Sequence, residues 1–285
     1  MPALAAVGAL MLQGCVEEST VIKINRDGSG IIHERSYAAA TDDFAIFPGL
    51  DGKKGKDGKD EPALPGKAAL EEYAATLGEG VTFQSVKRST NKKGWKGYEI
   101  VFAFEDINAV RYARNTPKPE SGDRAEGDQP KKKKDDFLAT FTMQDDELTI
   151  KMEKEGLDKA AAAPAPDPGG PTIDPYADAS GPRPAETDIM FPGMSEAMLE
   201  TMVKGMRMGL FVQIDDEIAK TNAAHRNGKL ITLFHADLGA LLENDEGMAT
   251  LNSLETLNRT QLQEAADDLD GLDMDLQDPI RVRFK

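Results

Sequence analysis

The chain of 285 residues carries 34 basic and 50 acidic side chains, a formal net charge of −16, with 40% hydrophobic residues. That size allows one or two domains with a real core, and the acidic balance argues against nucleic acid as a partner, which needs surplus Lys and Arg. One cysteine and three histidines exclude a disulfide scaffold and a cysteine-rich metal site, and leave little room for a multi-histidine centre; no apolar run reaches the ~18 residues of a transmembrane helix.

From Ala3 to Leu12 every residue is apolar or glycine. This is the length of a signal-peptide core and too short to span a bilayer. Leu12-Gln13-Gly14-Cys15 follows, and then Val16-Glu17-Glu18-Ser19-Thr20. The pattern resembles the lipobox of bacterial lipoproteins. The resemblance implies a signal peptide over 1–14, cleavage between Gly14 and Cys15, and a diacylglycerol on the Cys15 thiol, with palmitate-type chains. Small Gly14 suits a narrow cleavage site and Leu12 an apolar pocket. Acyl chains at ~0.8 kcal/mol per buried methylene would hold the chain on a membrane, facing the periplasm or cell exterior. Val16 rather than Asp after the cysteine matches lipoproteins sorted to the outer membrane, where a cell has one. No Lys or Arg precedes Lys23, so a start codon further upstream is expected to supply the basic stretch of the signal. The alternative is a buried N-terminal helix in which Cys15 is a small core residue.

Thr20–Asn25 is a strand candidate, Arg26-Asp27-Gly28-Ser29-Gly30 a turn, and Ile31–Tyr37 the returning strand. Asn25-x-Asp27-x-Ser29 has the spacing that opens a calcium loop, but position twelve is Ser36 where a bidentate Glu is needed, so a hairpin is expected. Residues 51–67 form a polar insertion. Ala68–Leu77 is predicted helical with Leu70, Tyr73, Ala74 and Leu77 on one face, stopped by Gly78 and Gly80. Val81–Val86 is a strand, Asn91–Gly94 a turn, and Tyr98, Ile100, Phe102 and Phe104 alternate along the next strand. Asp106 caps one turn through Ile107 and Val110. A second polar insertion, 115–136, balances six basic against six acidic residues, including Lys131–Lys134, and reads as a solvated linker. A hairpin follows, with Phe137, Ala139, Phe141 and Met143 facing Leu148, Ile150 and Met152.

Residues 158–185 are a Pro/Ala/Gly linker. It separates a β-rich region, 15–157, from an α+β region, 186–285, whose strands are able to complete the same sheet. A helix is expected from Ser195, with Met194, Met198, Met202 and Met206 at every fourth position. Thioethers suit Cu(I), but 1.5 Å of rise per residue spreads them along the axis, so core packing is the expected role, ahead of an apolar partner or lipid surface. Met208, Leu210, Val212 and Ile214 alternate as a strand. Glu217–Ala224 and Leu230–His235 are expected to form a hairpin around Asn227-Gly228, with His225 and His235 across it. Asp237 caps a turn carrying Leu238, Leu241 and Leu242. Leu251, Leu254, Leu257, Leu262, Ala265 and Leu269 suggest one broken helix or two, and Ile280–Phe284 closes the chain as a strand. Glu243–Asp278 holds eleven acidic residues and one arginine, a solvated acidic face rather than a calcium site.

No nucleophile elbow, phosphate loop, dinucleotide fingerprint or zinc helix is present in the sequence. The lipobox, the Asp27-Gly28-Ser29-Gly30 hairpin, Gly94-Trp95-x-Gly97-Tyr98 leading to Asp106-Ile107-Asn108, and a late strand pair together resemble a group of uncharacterised bacterial lipoproteins, and the late pair, Leu210 to Leu233 with Thr221-Asn222-Ala223 and Asn227-Gly228 inside it, distantly resembles the LppM-like lipoprotein domain. That resemblance implies an extracytoplasmic α+β domain without a catalytic motif. The expected fold is α+β, mainly antiparallel, with helices packed on a hairpin-built sheet. The expected function is a lipid-anchored envelope protein that binds a ligand or envelope partner or is structural, without catalysis or cofactor. The alternative is an envelope hydrolase assembled from scattered Asp, Glu and His, which a pocket gathering His225 or His235 with acids would favour.

Overall fold

A computed structural model describes residues 16–38, 64–113, 138–153, 205–243 and 259–285. Strands β1 (Val16–Ile24) and β2 (Gly30–Ala38) form the opening hairpin. Their period-two alternation turns Ile22, Ile24 and Ile32 into the core, where all are fully buried. Asp27 holds the turn between them by accepting the Ser29 N–H at 2.9 Å and the Ser29 hydroxyl at 2.6 Å. These contacts make the loop a self-capped turn, as the residues predict.

Helix α1 (Lys67–Leu77) buries Leu70, Tyr73, Ala74 and Leu77, the four residues that share a face at 3.6-residue spacing. Strands β3 (Thr82–Thr90) and β4 (Lys96–Phe104) follow as a hairpin. The Asp106 carboxylate caps the 3₁₀ turn Ile107–Ala109 through the Asn108 N–H. Then come β5 (Arg111–Ala113), β6 (Leu138–Gln144) and β7 (Glu147–Glu153). After them are β8 (Arg207–Ile214), β9 (Ile218–Thr221), β10 (Arg226–Asn227), β11 (Leu230–Asp237), helix α2 (Leu238–Leu242), helix α3 (Arg259–Asp268), β12 (Leu272–Met274) and β13 (Ile280–Phe284).

The strands make two sheets. The larger runs β10-β11-β8-β1-β2-β4-β3, with β12 also on β11, and the smaller runs β5-β6-β7-β13-β9. Every pairing is antiparallel except β1 with β8. Buried side chains from both sheets and α1 form one apolar cluster. Strands that follow the 158–185 segment in sequence hold places in both sheets, β8 beside β1 and β13 beside β7.

Four features differ from the sequence reading. The described residues are mostly strand with three short helices, so a balanced α+β class fits only loosely. The helices of 11, 5 and 10 residues are outweighed by strands of up to nine. Met206 is buried but not helical; Gly205 at φ +97° sits before it and β8 begins right after it. The other stripe methionines, Phe137, residues 51–63 of the first polar insertion, the whole of the second, the linker and Leu251–Leu257 lie outside the described residues, while Lys67, read as the end of the first insertion, opens helix α1. The Asn227-Gly228 turn closes only the two-residue strand β10 against β11, while β9 leaves for the other sheet. Asn222 explains this: its side chain donates to Pro279 O at 3.1 Å and accepts from the Arg281 N–H at 2.6 Å, clamping the end of β9 to β13. Finally, β5 and β12, three residues each, are too short for their alternation to be read as strands.

A polar link crosses the core. The Tyr112 hydroxyl on β5 lies 2.7 Å from Thr20 Oγ1 on β1, and the Tyr73 hydroxyl on α1 donates to Glu34 on β2 at 3.0 Å. All four side chains are buried, so each needs its partner. Tyr112→Phe is expected to cost ~1–3 kcal/mol by stranding the Thr20 hydroxyl. Phe102→Ala, a fully buried ring lost, is expected to cost ~3–5 kcal/mol. Urea unfolding of each variant measures both.

Candidate functional site

Gly14 and Cys15 lie outside the described residues, but one peptide bond joins Cys15 to Val16, which already pairs with Ala38 and opens a strand in the middle of the large sheet. Register carries that position across the sheet: Val16 faces Ala38, Ala38 faces Lys96, and Lys96 faces Thr90. The start of β1, the β3–β4 turn and the start of β8 therefore lie at one end. The turn after β1 lies at the other, about 30 Å away for nine residues of strand.

At that far end a shallow concavity of about 330 Å³ is lined by Lys23, Asn25, Ser29, Gly30, Ile31, Phe104, Gln213 and Asp215. Its one hydroxyl nucleophile is already engaged, because Ser29 Oγ donates to Asp27 and accepts from Asn25 Nδ2 at 2.9 Å. Arg26 beside it spans both sheets by pairing with Asp146 at 2.8 Å and Asp216 at 3.1 Å. These are exposed contacts that fix geometry more than they stabilise.

The structure does bring His225 and His235 together, through a residue the sequence reading did not single out. Strands β10 and β12 lie one after the other along the same edge of β11, so Asp273 on β12 comes directly opposite His235 and close to His225. His235 Nδ1 is 3.2 Å and His225 Nδ1 3.6 Å from the two Asp273 oxygens. Phe211 lies against the His235 ring, with centroids 6.3 Å apart. Behind them Asp275 is fully buried and accepts the Ala224 N–H at 2.8 Å and the Gln277 N–H at 3.2 Å. Burial pushes its carboxyl above the ordinary value, against the lowering effect of those N–H groups and of His225. Two imidazoles on one carboxylate can exchange a proton, but the concavity is elsewhere, and the described residues hold no group of three or more His, Cys, Asp or Glu arranged for a metal ion. The signal that could have found Asp273 is its place in Leu272-Asp273-Met274, an alternating but very short segment.

A second polar centre lies on the outer face of the large sheet. Glu99 on β4 accepts from Tyr37 at 3.1 Å and Ser89 at 2.9 Å, and lies 3.1 Å from both Lys87 Nζ and His33 Nε2. Burial raises its pKa, yet the bonds from Ser89, Lys87, Tyr37 and His33 outweigh burial and hold the carboxyl down to about 2. His33 is itself pushed down, first by burial and then by Arg35. At neutral pH its contact with Glu99 is thus a hydrogen bond from a neutral ring rather than an ion pair.

Among the described residues no helix is long and apolar enough to cross a membrane. No family model matches the sequence, and no curated protein matches it. Among solved structures, the NMR structure of the folded domain of the Mycobacterium tuberculosis LppM protein is distantly similar, with a TM-score of 0.36 and 9% identity over 96% of this chain and 93% of that one. A likeness this loose assigns neither an activity nor a partner.

Glu99 makes stability depend on acid pH. Its folded pKa lies below the ordinary 4.5, so its contribution is fully present above about pH 4.5 and is lost as pH falls toward 2, a change of order 2–3 kcal/mol. Glu99→Gln is expected to flatten the stability profile across that window, as read by urea unfolding at stepped pH.

Proposed function

We propose that this is a lipid-anchored cell-envelope protein, tethered through acylated Cys15 on the periplasmic or exterior side and presenting its far end to a ligand or envelope partner, without chemistry of its own. The observation that carries the reading is how close the cysteine lies to the fold: Val16, one peptide bond after Cys15, already pairs with Ala38, and β1 lies between β2 and β8, so a lipid on Cys15 would sit directly at the end of a central strand. The apolar run over Ala3–Leu12 and the lone cysteine behind Gly14 supply the signal. With no spacer, the tether fixes which end of the sheet meets the membrane and turns the concavity near Lys23 and Asp215 away from it. In a cell with two membranes, Val16 favours the outer one.

The His225–Asp273–His235 contact favours a second reading, an envelope hydrolase with a proton-transfer pair, since two imidazoles converge there on one carboxylate. His235→Ala abolishing an esterase or amidase activity of the purified protein would support it.

Cys15→Ala is expected to move the protein from the membrane pellet to the soluble fraction, or to leave an uncleaved precursor, and to abolish labelling by an alkyne fatty acid. Unchanged labelling in that variant would contradict the anchor.

A further inference from the structure

We propose that the β3–β4 turn, Asn91–Trp95, is a second membrane contact that docks on anionic phospholipid headgroups and sets the orientation of the tethered domain. This rests on the anchor reading for its tether and on separate observations for its chemistry.

The first observation is charge. In a chain of net charge −16, the ten residues Lys87–Lys96 hold five basic side chains and no acid. Lys87 is engaged by Glu99, and Arg88 and Lys96 also have partners, which leaves Lys92 and Lys93, both exposed, as the basic pair at the tip. A basic side chain near an anionic leaflet contributes about 1 kcal/mol.

The second observation is the ring. Trp95 is the only tryptophan in the chain, and instead of entering the core it sits half-buried at the turn, with Lys93 Nζ 4.6 Å from its ring centroid. An amphipathic indole beside lysines is the side-chain set that settles at the headgroup level of a bilayer.

The third observation is rigidity and place. The Asn91 side chain accepts the N–H groups of Lys93 at 2.9 Å and Trp95 at 3.0 Å, and Gly94 takes φ +81°, a conformation that favours glycine, so the tip is held open in one shape. Asn91 Nδ2 also donates to Glu17 at 3.3 Å, which ties the tip to a residue two positions from Cys15. Trp95 packs on the Gly205 backbone, where an added Cβ would meet the ring at 2.9 Å, so the start of the β8 segment is bound to the same end. Of the acids at this end, Asp237 is paired with Arg207 at 2.6 Å, Glu17 accepts from the neutral Asn91 amide, and Glu18 also has a partner. Acyl chains on Cys15 would already supply affinity, so the turn acts on orientation, giving the domain a second foot on the membrane.

The test uses the mature protein, from Cys15 to Lys285, with that single cysteine coupled to a maleimide phospholipid in vesicles of phosphatidylethanolamine and phosphatidylglycerol. Trp95 is then the only tryptophan reporter. On coupling, its emission is expected to shift to the blue and its acrylamide quenching to fall relative to the same protein without vesicles. The docked-to-free ratio should drop about five-fold for each of Lys92→Ala and Lys93→Ala, the equivalent of ~1 kcal/mol per basic residue, and should fall likewise on neutral phosphatidylcholine vesicles. Emission and quenching unchanged by coupling would overturn the proposal, as would a shift equal on neutral and anionic vesicles and indifferent to both lysines. Chemical coupling makes the result independent of cellular acylation; the mass of the protein taken from cells reports acylation separately.

Discussion

The parallel pairing of β1 with β8 is the contact on which the rest of the structure depends. It joins residues 17–24 to residues 207–214, across a loop of about 190 residues whose closure costs several kcal/mol of chain entropy before any contact offsets it. The offset is local and apolar: Ile22 and Ile24 on one strand, Leu210, Val212 and Ile214 on the other, all buried in one cluster with the smaller sheet. With β2 on its other side, β1 has no free edge. The Thr20–Tyr112 contact then ties its middle to the smaller sheet, so the strand is held from both sides and from its core face.

That placement gives the molecule a direction. Because β1 is central and begins one residue after Cys15, its two ends acquire different chemistry. The near end gathers Trp95, Lys92 and Lys93, and the salt-bridged Arg207 and Asp237. The far end carries the concavity and the Arg26 bridge between the sheets. The His225–Asp273–His235 contact lies along the opposite edge of the large sheet from β3, away from the lysine-bearing turn. The proposed tether next to β1, the proposed orienting turn and the concavity thus fall at separate places along one sheet.

What was legible in the sequence was what local chemistry decides. The α1 face, the Asp27 turn, the Asp106 and Asp237 caps and the inward alternation of Ile280, Val282 and Phe284 all follow from spacing within ten residues. What was not legible depends on partners far along the chain. Nothing near Ile218–Thr221 announces that Asn222 will clamp it to Arg281, so the Asn227-Gly228 turn signal suggested too long a hairpin. Asp273 was missed for the same reason: it matters only because β10 and β12 share one edge of β11. Trp95 was visible as part of a motif, but its place beside the start of β1 emerges only when three strand registers are read across the sheet.

The most direct test of the account is the mass of the N-terminal peptide of the protein extracted from cell membranes. The account predicts a peptide that begins at Cys15 and carries a diacylglycerol on sulfur, with Val16 next in the fragment series. A peptide retaining Gly14, or one whose Cys15 thiol is free and reacts with maleimide, would contradict it.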